Sequence, residues 1–117
     1  MSIAADLIRG NTDMIILAQL AAQDSYGYRI NNKIRQATDN RYELKEATLY
    51  TAFRRLEEAG YISSYWGDEE SGARRRYYSI TDAGKEAYQK MLMDWSSAND
   101  IISRLISKDS DSAREAL

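Results

Sequence analysis

Residues 46–80 of this 117-residue chain read EATLYTAFRRLEEAGYISSYWGDEESGARRRYYSI and decide how it folds. Apolar residues at helical spacing, followed by a glycine, predict an amphipathic helix over 46–59. Residues 61–66 alternate like a strand, residues 67–73 have turn chemistry, and residues 74–80 alternate again. The core side of this segment is expected at Leu49, Phe53 and Leu56 of the helix and at Ile62, Tyr78 and Ile80 of the hairpin. The chain is therefore expected to pack a helix against a two-stranded hairpin.

Two further helices are expected before this segment. The first spans about Ala4 to Ala22 and is apolar on every side between Met14 and Leu17, so it is expected to be buried on more than one side. Gly10 within it indicates a close backbone approach. The second helix spans about Tyr26 to Thr38, and residues 41–44 after it alternate like a short strand. This order predicts a winged helix-turn-helix, a mostly α member of the α+β class.

The last helix begins at a capping signature, with Thr81 or Asp82 as its N-cap, and is expected to run to about Ser107. A helix of about 25 residues is about 38 Å long, and a small three-helix domain cannot cover its far half. Its apolar residues repeat every seven positions, which is typical of one helix pairing with another. This dimerisation seam comprises Tyr88, Met91, Trp95, Ala98, Ile102 and Leu105. We therefore expect a homodimer in which the partner copy also covers the first helix.

Composition excludes several classes of function. The chain has no cysteine and no histidine, which removes disulfides, thiolate chemistry, and the commonest general base and metal ligand. No enzymatic activity, cofactor or metal is expected. No apolar run reaches the ~18 residues of a membrane span and no secretory signal is visible, so we expect no membrane partner and a cytoplasmic location. With a formal net charge of -2, any contact with nucleic acid must come from a local basic patch.

The outward face of the helix over 46–59 is suited to DNA. Projection at 100° per residue places Ala47, Thr51, Arg54 and Glu58 opposite the buried stripe, with Thr48, Tyr50 and Arg55 on the flanks. Small side chains let a helix approach the major groove, and arginines reach phosphate or guanine. The alternative for this face is a surface that is merely solvated.

Three consecutive arginines, Arg74–Arg76, open the second strand of the hairpin. Cations concentrated beside a helix-turn-helix in an acidic chain indicate a phosphate contact. Since neighbouring side chains of a strand point to opposite faces, only two of the three are expected to address one surface. The alternative is that they pair with Asp68, Glu69 and Glu70 across the hairpin. The residues expected to contact DNA are Tyr26, Thr48, Tyr50, Thr51, Arg54, Arg55, Arg74, Arg75 and Arg76.

Trp95 lies in the middle of the dimerisation seam. A tryptophan is too large and too flat for regular knobs-into-holes packing. Two copies near a dyad would either stack on each other or hold a gap open, and the adaptable side chains of Met91 and Met93 lie nearby. Plain interface packing is the alternative.

Three motifs carry a resemblance to a known family. They are Tyr26-Gly27-Tyr28, the run EATLY at 46–50, and the run GYISSYWGDE at 60–69 leading into RRRYY at 74–78. Together they resemble the PadR family of transcriptional regulators, and within it the small LmrR-type multidrug-sensing repressors. The similarity covers roughly residues 5–107, and the combined motif set is highly specific.

The resemblance implies a homodimeric winged-helix regulator whose first and last helices enclose a flat apolar pore between two subunits. Paired tryptophans of the last helix would sandwich planar aromatic, often cationic, compounds there, and Trp95 matches that tryptophan. The implied pore-lining positions are Leu7, Gly10, Asp13, Met14, Ala87, Met91, Trp95, Ala98, Asn99 and Ile102. LmrR-type proteins carry an acidic residue where this chain has Asn99, and Asp13 is a candidate to supply the negative charge instead. Met14 and Met91 are bulkier than their counterparts and are expected to narrow the pore.

The sequence thus predicts a winged helix-turn-helix over residues 1–80, a dimerisation helix over 81–107 and a flexible tail over 108–117. The expected function is repression of a multidrug efflux transporter: the dimer binds operator double-stranded DNA through the helix over 46–59 and the hairpin, and a planar ligand changes the angle between subunits. The alternative is a winged-helix DNA-binding or protein-interaction module without a small-molecule effector.

Overall fold

The computed structural model describes residues 3–68 and 74–107 of the chain. Within these ranges the elements are α1 (Ile3–Arg9), α2 (Thr12–Ala22), α3 (Gly27–Ala37), α4 (Glu46–Glu58), β1 (Ile62–Asp68), β2 (Arg74–Ile80) and α5 (Asp82–Ile106). The strands form one antiparallel pair. This order of helices, hairpin and long final helix confirms the predicted winged helix-turn-helix of the mostly α, α+β class. The predicted tail at 108–117 and the hairpin loop at 69–73 lie outside the described residues.

The N-terminal helix is divided in two, so the prediction of one helix from Ala4 to Ala22 is wrong. The break lies at Gly10 and Asn11, where the Asn11 N–H donates to the Ile8 carbonyl at 2.8 Å and closes a tight turn. Glycine lowers the cost of leaving the helix, because it stabilises a helix by about 1 kcal/mol less than alanine does. A Cβ at Gly10 would meet no atom within 4 Å. The close approach expected at this glycine is therefore not made by the described part of this chain.

The hydrophobic core lies between α2, α3, α4 and the hairpin. Phe53 of α4 is 1% exposed, and its ring stacks on Tyr78 of β2 with centroids 3.9 Å apart. The core residues predicted on α4 and the hairpin are all buried except Ile80, which is half-buried against them. The other contributions come from Ile16, Leu17, Leu20, Ile30, Ile34, Leu44 and Ala52. This packing fixes which face of α4 points outward.

Residues 41–44 do not form a strand, contrary to the prediction. Asp39 and Asn40 adopt positive φ angles of 52° and 63°, which reverse the chain after α3. Leu44 is then held by the side-chain amide of Asn31. The Asn31 Nδ2 donates to the Leu44 carbonyl at 2.8 Å, and the Leu44 N–H donates to the Asn31 Oδ1 at 2.9 Å. A side chain therefore satisfies the backbone groups that a neighbouring strand would have bound.

The wing, formed by β1 and β2, is attached directly to the start of α3. The strands pair in register along their whole length, and β1 extends beyond its predicted end at Trp66. Glycine is needed at Gly67, since a Cβ there would lie 2.3 Å from the Tyr77 ring. Ser25, shortly before α3, joins the sheet through two backbone hydrogen bonds to Tyr78, of 3.1 and 2.8 Å.

Among the described residues, α5 is anchored to the rest of the chain through its N-terminal half. The Thr81 hydroxyl accepts the Gly84 N–H at 3.0 Å, as the capping signature predicted. Gly84 packs so closely that a Cβ would lie 2.0 Å from the Tyr61 carbonyl oxygen. Beyond the first turns, every residue from 93 to 106 is exposed. Within the described ranges, no helix combines the length and apolarity that a membrane span requires.

Candidate nucleic-acid interface

The face of α4 that points away from the core is polar, as the sequence predicted. It carries Ala47, Tyr50, Thr51, Arg54, Arg55 and Glu58, which are exposed, and Thr48, which is half-buried. Small and hydroxyl side chains lie toward its N-terminus, where they permit close approach to another surface. Over the part of the chain that the structure describes, Arg54 forms no ion pair, so its charge is available to a ligand.

Arg55 is already bonded within the chain. Its guanidinium donates to both carboxylate oxygens of Asp13 on α2, with Nε 3.2 Å from Oδ2. The hydrogen bond to Asp13 raises the pKa of Arg55, against the opposing effect of desolvation, and the charge of Asp13 adds to the rise. Both side chains are partly exposed and screened by water, so the pair contributes only about 0–1 kcal/mol. The pair joins Arg55, which was predicted to contact DNA, to Asp13, which was predicted to line the effector pore.

The wing holds two of its three arginines on one aromatic ring. The guanidinium carbons of Arg74 and Arg76 lie 5.2 and 5.7 Å from the centroid of the Trp66 ring. Trp66 lies opposite Arg76 in the strand register and is 54% exposed. Arg76 also donates to the Ser64 hydroxyl at 2.8 Å and lies 3.6 Å from a carboxylate oxygen of Glu57. These contacts hold both guanidinium groups at the surface of the wing.

Arg75 is held by a different ring. Its guanidinium carbon lies 4.5 Å from the centroid of Tyr26, the residue that precedes α3. The Tyr26 ring makes an edge contact with Tyr77 at 5.2 Å, and Tyr77 stacks on Tyr65 at 5.6 Å. The Tyr65 hydroxyl donates to the Asp24 carboxylate at 2.6 Å, which raises the pKa of the Tyr65 phenol. A column of three tyrosines thus connects the wing to the start of α3.

All three arginines line one groove, of about 620 Å³, between α3, α4 and the wing. We call it the wing groove; its aromatic lining is Tyr26, Tyr28, Tyr50 and Trp66. The expectation that only two arginines address one surface is wrong, because the long side chain of Arg75 lies on the Tyr26 ring and reaches the groove that Arg74 and Arg76 line. In the alternative, the arginines pair with the acidic side chains at 68–70. These side chains lie outside the described part of the structure.

A second groove, of about 380 Å³, borders the other side of α4. It lies between α4 and the corner where α1 meets α2, and its lining is Arg9, Thr12, Ala47, Thr48, Thr51 and Arg55. Eight of the nine residues predicted to contact DNA are thus divided between two grooves on either side of one helix, and the ninth, Arg54, is exposed on α4. Tyr26, Tyr50 and the three wing arginines lie in the wing groove, and Thr48, Thr51 and Arg55 lie in the second.

Two residues of the site, Trp66 and Arg29, were missed by the sequence interpretation. Arg29 lies 5.1 Å from the centroid of the Tyr26 ring and donates to the Ser25 hydroxyl at 3.0 Å, so it supports the ring on which Arg75 rests. Both had a signal in the sequence. The hairpin register places Trp66 opposite Arg76, and Arg29 follows Tyr26 at the spacing of neighbours on a helix surface.

The positions that the resemblance assigned to an effector lie on or beside three helices, α1, α2 and α5, of which α2 and α5 pack together. Asp13, Met14, Ala87 and Met91 are half-buried, whereas Leu7, Gly10, Trp95, Ala98, Asn99 and Ile102 are exposed. Along the dimerisation seam, Tyr88 and Met91 pack against the core, and Trp95, Ala98, Ile102 and Leu105 are exposed. Across the described ranges, no group of three or more His, Cys, Asp or Glu side chains is placed to hold a metal ion.

A helix-turn-helix core, an outward polar helix and a basic wing together define a winged-helix DNA-binding protein. A family model described as "Transcriptional regulator PadR-like family" matches residues 16–90, more than half of the chain. The chain belongs to this family, whose members are DNA-binding transcriptional regulators and typically have no enzymatic activity. The membership predicted from the sequence motifs is confirmed.

Several proteins are similar to this chain over most of its length. A transcriptional regulator from Clostridium thermocellum is 46% identical with a TM-score of 0.81, and the match covers 91% of this chain and 100% of that one. A PadR family transcription regulator from Clostridium difficile is 32% identical with a TM-score of 0.72, over 83% of this chain and 99% of that one. An uncharacterised protein from Lysinibacillus sphaericus is 41% identical over 100 residues, which are 86% of this chain and 92% of that protein.

Proposed function

We propose that this chain is a homodimeric, ligand-responsive repressor that binds operator DNA through α4 and the wing. The observation that carries the proposal is the outward polar face of α4 beside a groove lined by three arginines. In the complex, α4 enters a major groove, where Thr48, Thr51 and Arg54 approach bases or phosphates. The wing groove binds the DNA backbone, and Tyr26 offers its hydroxyl to a phosphate.

The far half of α5 supports a homodimer. The described residues of a single chain leave its apolar side chains uncovered: Leu105 is 67% and Ile106 is 76% exposed. A second copy of the helix would cover them, since apolar residues at heptad spacing pair helices. Pairing of two α5 helices would place two α4 helices about one DNA turn apart, ~34 Å, in successive major grooves. Occupation of the operator by this dimer blocks transcription.

The effector in this proposal is a planar aromatic, cationic compound of the kind sensed by LmrR-type repressors, and the regulated gene encodes a multidrug efflux transporter. Trp95 supports it: the residue is 48% exposed, which leaves its ring accessible to a stacking ligand. Asp13, the candidate acid, is bonded to Arg55, so a cationic ligand must compete with that arginine. An inducer must bind the DNA-incompetent arrangement more tightly, by about 1–3 kcal/mol of coupling free energy.

The DNA-binding proposal is tested by selecting duplexes from a random-sequence library and measuring Kd by fluorescence anisotropy between 50 and 200 mM salt. We expect log Kd to depend steeply on log salt, with a slope of about 0.9 per phosphate neutralised. Arg54→Ala should weaken binding and lower the slope by about one unit. Lys90→Ala removes an exposed charge from α5 that lies in neither groove beside α4, and should change neither quantity. Failure of the wild-type chain to enrich any duplex would refute the proposal.

The effector proposal is tested with a planar cationic dye, ethidium, in the absence of DNA. We expect Trp95→Leu to abolish most dye binding, because the stacking surface is lost. Trp66→Phe is the matched control, since it changes the other tryptophan of the chain and should leave dye affinity unchanged. Equal binding by wild type and Trp95→Leu, or none by either, would favour a winged-helix module without a small-molecule effector.

A further inference from the structure

We infer that Trp66 and Tyr26 are positioning residues that gather three consecutive arginines into one grip on the sugar–phosphate backbone of a single DNA strand. The inference rests on the proposed DNA-binding function, in which the wing groove binds the DNA backbone, and assigns the two rings their role in that contact. Neither aromatic ring needs to read a base, because each acts through the arginine that it holds.

Strand geometry alone would separate the three arginines. Neighbouring side chains of β2 point to opposite faces, so Arg75 leaves the strand away from Arg74 and Arg76. The rings reverse this separation: Arg74 and Arg76 lie 5.2 and 5.7 Å from the Trp66 centroid, and Arg75 lies 4.5 Å from the Tyr26 centroid. Both rings line the wing groove. Three guanidinium groups therefore face the wing groove, whereas strand geometry alone would direct at most two of them there.

A ring is a suitable support for a phosphate-binding arginine. Attraction to the face of an aromatic ring involves the charge of the guanidinium and leaves its N–H groups able to donate to an acceptor. An arginine that is already ordered loses less rotamer freedom when a ligand arrives. A stacked guanidinium thus keeps its capacity for a bidentate phosphate contact and meets the phosphate in a preset position.

The chemistry of the wing groove selects an anionic acceptor. No acidic side chain is found among the described residues that line it, although the Glu57 carboxylate lies 3.6 Å from Arg76 outside that lining. Besides the arginines it presents the hydroxyls of Tyr28 and Tyr50, whose side chains are exposed. Phosphodiester oxygens accept hydrogen bonds and carry negative charge at every nucleotide, whereas base edges alternate donors with acceptors. The backbone of one strand is therefore the ligand that this lining fits.

The two walls of the groove are held in a fixed relation. Tyr26 belongs to the start of α3 and Trp66 to the wing, and the column of Tyr26, Tyr77 and Tyr65 connects them. The backbone bridge between Ser25 and Tyr78 adds a second connection. The spacing of Arg75 from the other two arginines is thereby set before DNA binds.

The test is a double-mutant cycle on a selected duplex. Trp66→Leu removes the ring but keeps an apolar strand residue, and we expect Kd to rise about fivefold to tenfold. Trp66→Phe keeps a ring face and should retain most of the affinity. In an Arg74→Ala/Arg76→Ala background, Trp66→Leu should cause no further loss. For the second ring, Tyr26→Phe is the reference, because it keeps the ring face and removes only the hydroxyl that is proposed to reach a phosphate. Tyr26→Leu should bind more weakly than Tyr26→Phe, and this difference should vanish in an Arg75→Ala background.

Several outcomes would overturn the inference. Equal losses from Trp66→Leu with and without the two arginines would show that the ring contacts DNA itself. Unchanged affinity of Trp66→Leu, or an equal loss in Trp66→Phe, would show that the ring face is irrelevant.

Thermal unfolding checks that the variants fold: Trp66 is 54% exposed, so its substitution should leave the midpoint nearly unchanged. A wild-type chain that binds no duplex overturns the proposed function together with this inference, whereas binding with an additive cycle overturns the inference alone.

Discussion

The body of the protein, made of α2, α3, α4 and the wing, packs Phe53 and most of its aliphatic side chains into one core, whereas the far half of α5 exposes its apolar side chains. Phe53 in the body is 1% exposed, while Met93 and Leu105 on α5 are 71% and 67% exposed. Not one residue between 93 and 106 is buried. The described chain measures 68 × 31 × 20 Å, which reflects the projection of this helix beyond the body.

The difference shows that the two regions are stabilised by different means. Apolar burial within one chain stabilises the body, at about 25 cal/mol per Å² removed from water. Within the described residues, the far half of α5 has local support, such as the pairs of Lys90 with Asp94 and Arg104 with Asp100, whose side chains are largely exposed. Solvated i,i+4 pairs contribute little to stability. We therefore expect the body to be stabilised by its own core and the far half of α5 to depend on association.

The largest expected effect is in the core of the body. Phe53→Ala should lower the free energy of unfolding by about 3–5 kcal/mol, because it leaves a cavity beside the stacked Tyr78 ring. Met93→Ala, at an exposed position of α5, should change it by less than about 0.5 kcal/mol. Urea denaturation followed by circular dichroism, at one protein concentration, measures both. Similar losses in the two variants would contradict the contrast between the regions.

The next effect concerns association rather than folding. Ile102→Glu places a charge in the dimerisation seam and should weaken the dimer by about 3 kcal/mol, which is on the order of a hundredfold in Kd. Met93→Glu is matched to it, since Met93 is exposed on the opposite side of the same helix. Sedimentation equilibrium measures the mass of each. A wild-type chain that sediments as a 13.4 kDa monomer at micromolar concentration would remove the basis for the proposed dimer.

A smaller effect is expected where α5 joins the body. Gly84→Ala should destabilise the fold by about 1–3 kcal/mol, because the new methyl group would overlap the Tyr61 carbonyl oxygen. Gly10→Ala is the control, since a methyl group there meets nothing within 4 Å. That variant should keep or raise the thermal midpoint. If Gly84→Ala were also neutral, α5 would not be anchored through this contact.

The smallest effect concerns the ion pair between α2 and α4. Asp13→Asn should change the free energy of unfolding by less than about 1 kcal/mol, because the pair is partly exposed. It should strengthen DNA binding by about twofold to fivefold, since Arg55 is released and a negative charge is removed. Anisotropy titration measures this, with Asp94→Asn on α5 as the control. Weaker binding would mean instead that Asp13 orients Arg55 toward the DNA.

Most of the fold and part of the candidate site were predictable from the sequence. α4, the hairpin and α5 appear as predicted because each is encoded by spacing within a few residues: the stripe through Phe53, the alternation that ends at Ile80, and the cap at Thr81. The polar face of α4 was predictable because it lies opposite the apolar stripe through Phe53. The predicted seam of α5 is exposed beyond Met91, and its partner stays a prediction.

The sequence by itself determined which segments are helix or strand, which faces are apolar, and where basic residues concentrate, because these properties depend on periodicity. Only the tertiary structure decided the contacts between separated residues. Asn31 binds Leu44 thirteen positions away, and Arg55 binds Asp13 forty-two positions away. Arg75 lies on the Tyr26 ring because the start of α3 packs beside the wing. No periodic pattern encodes such contacts, since they depend on where long polar side chains find partners once the backbone is folded.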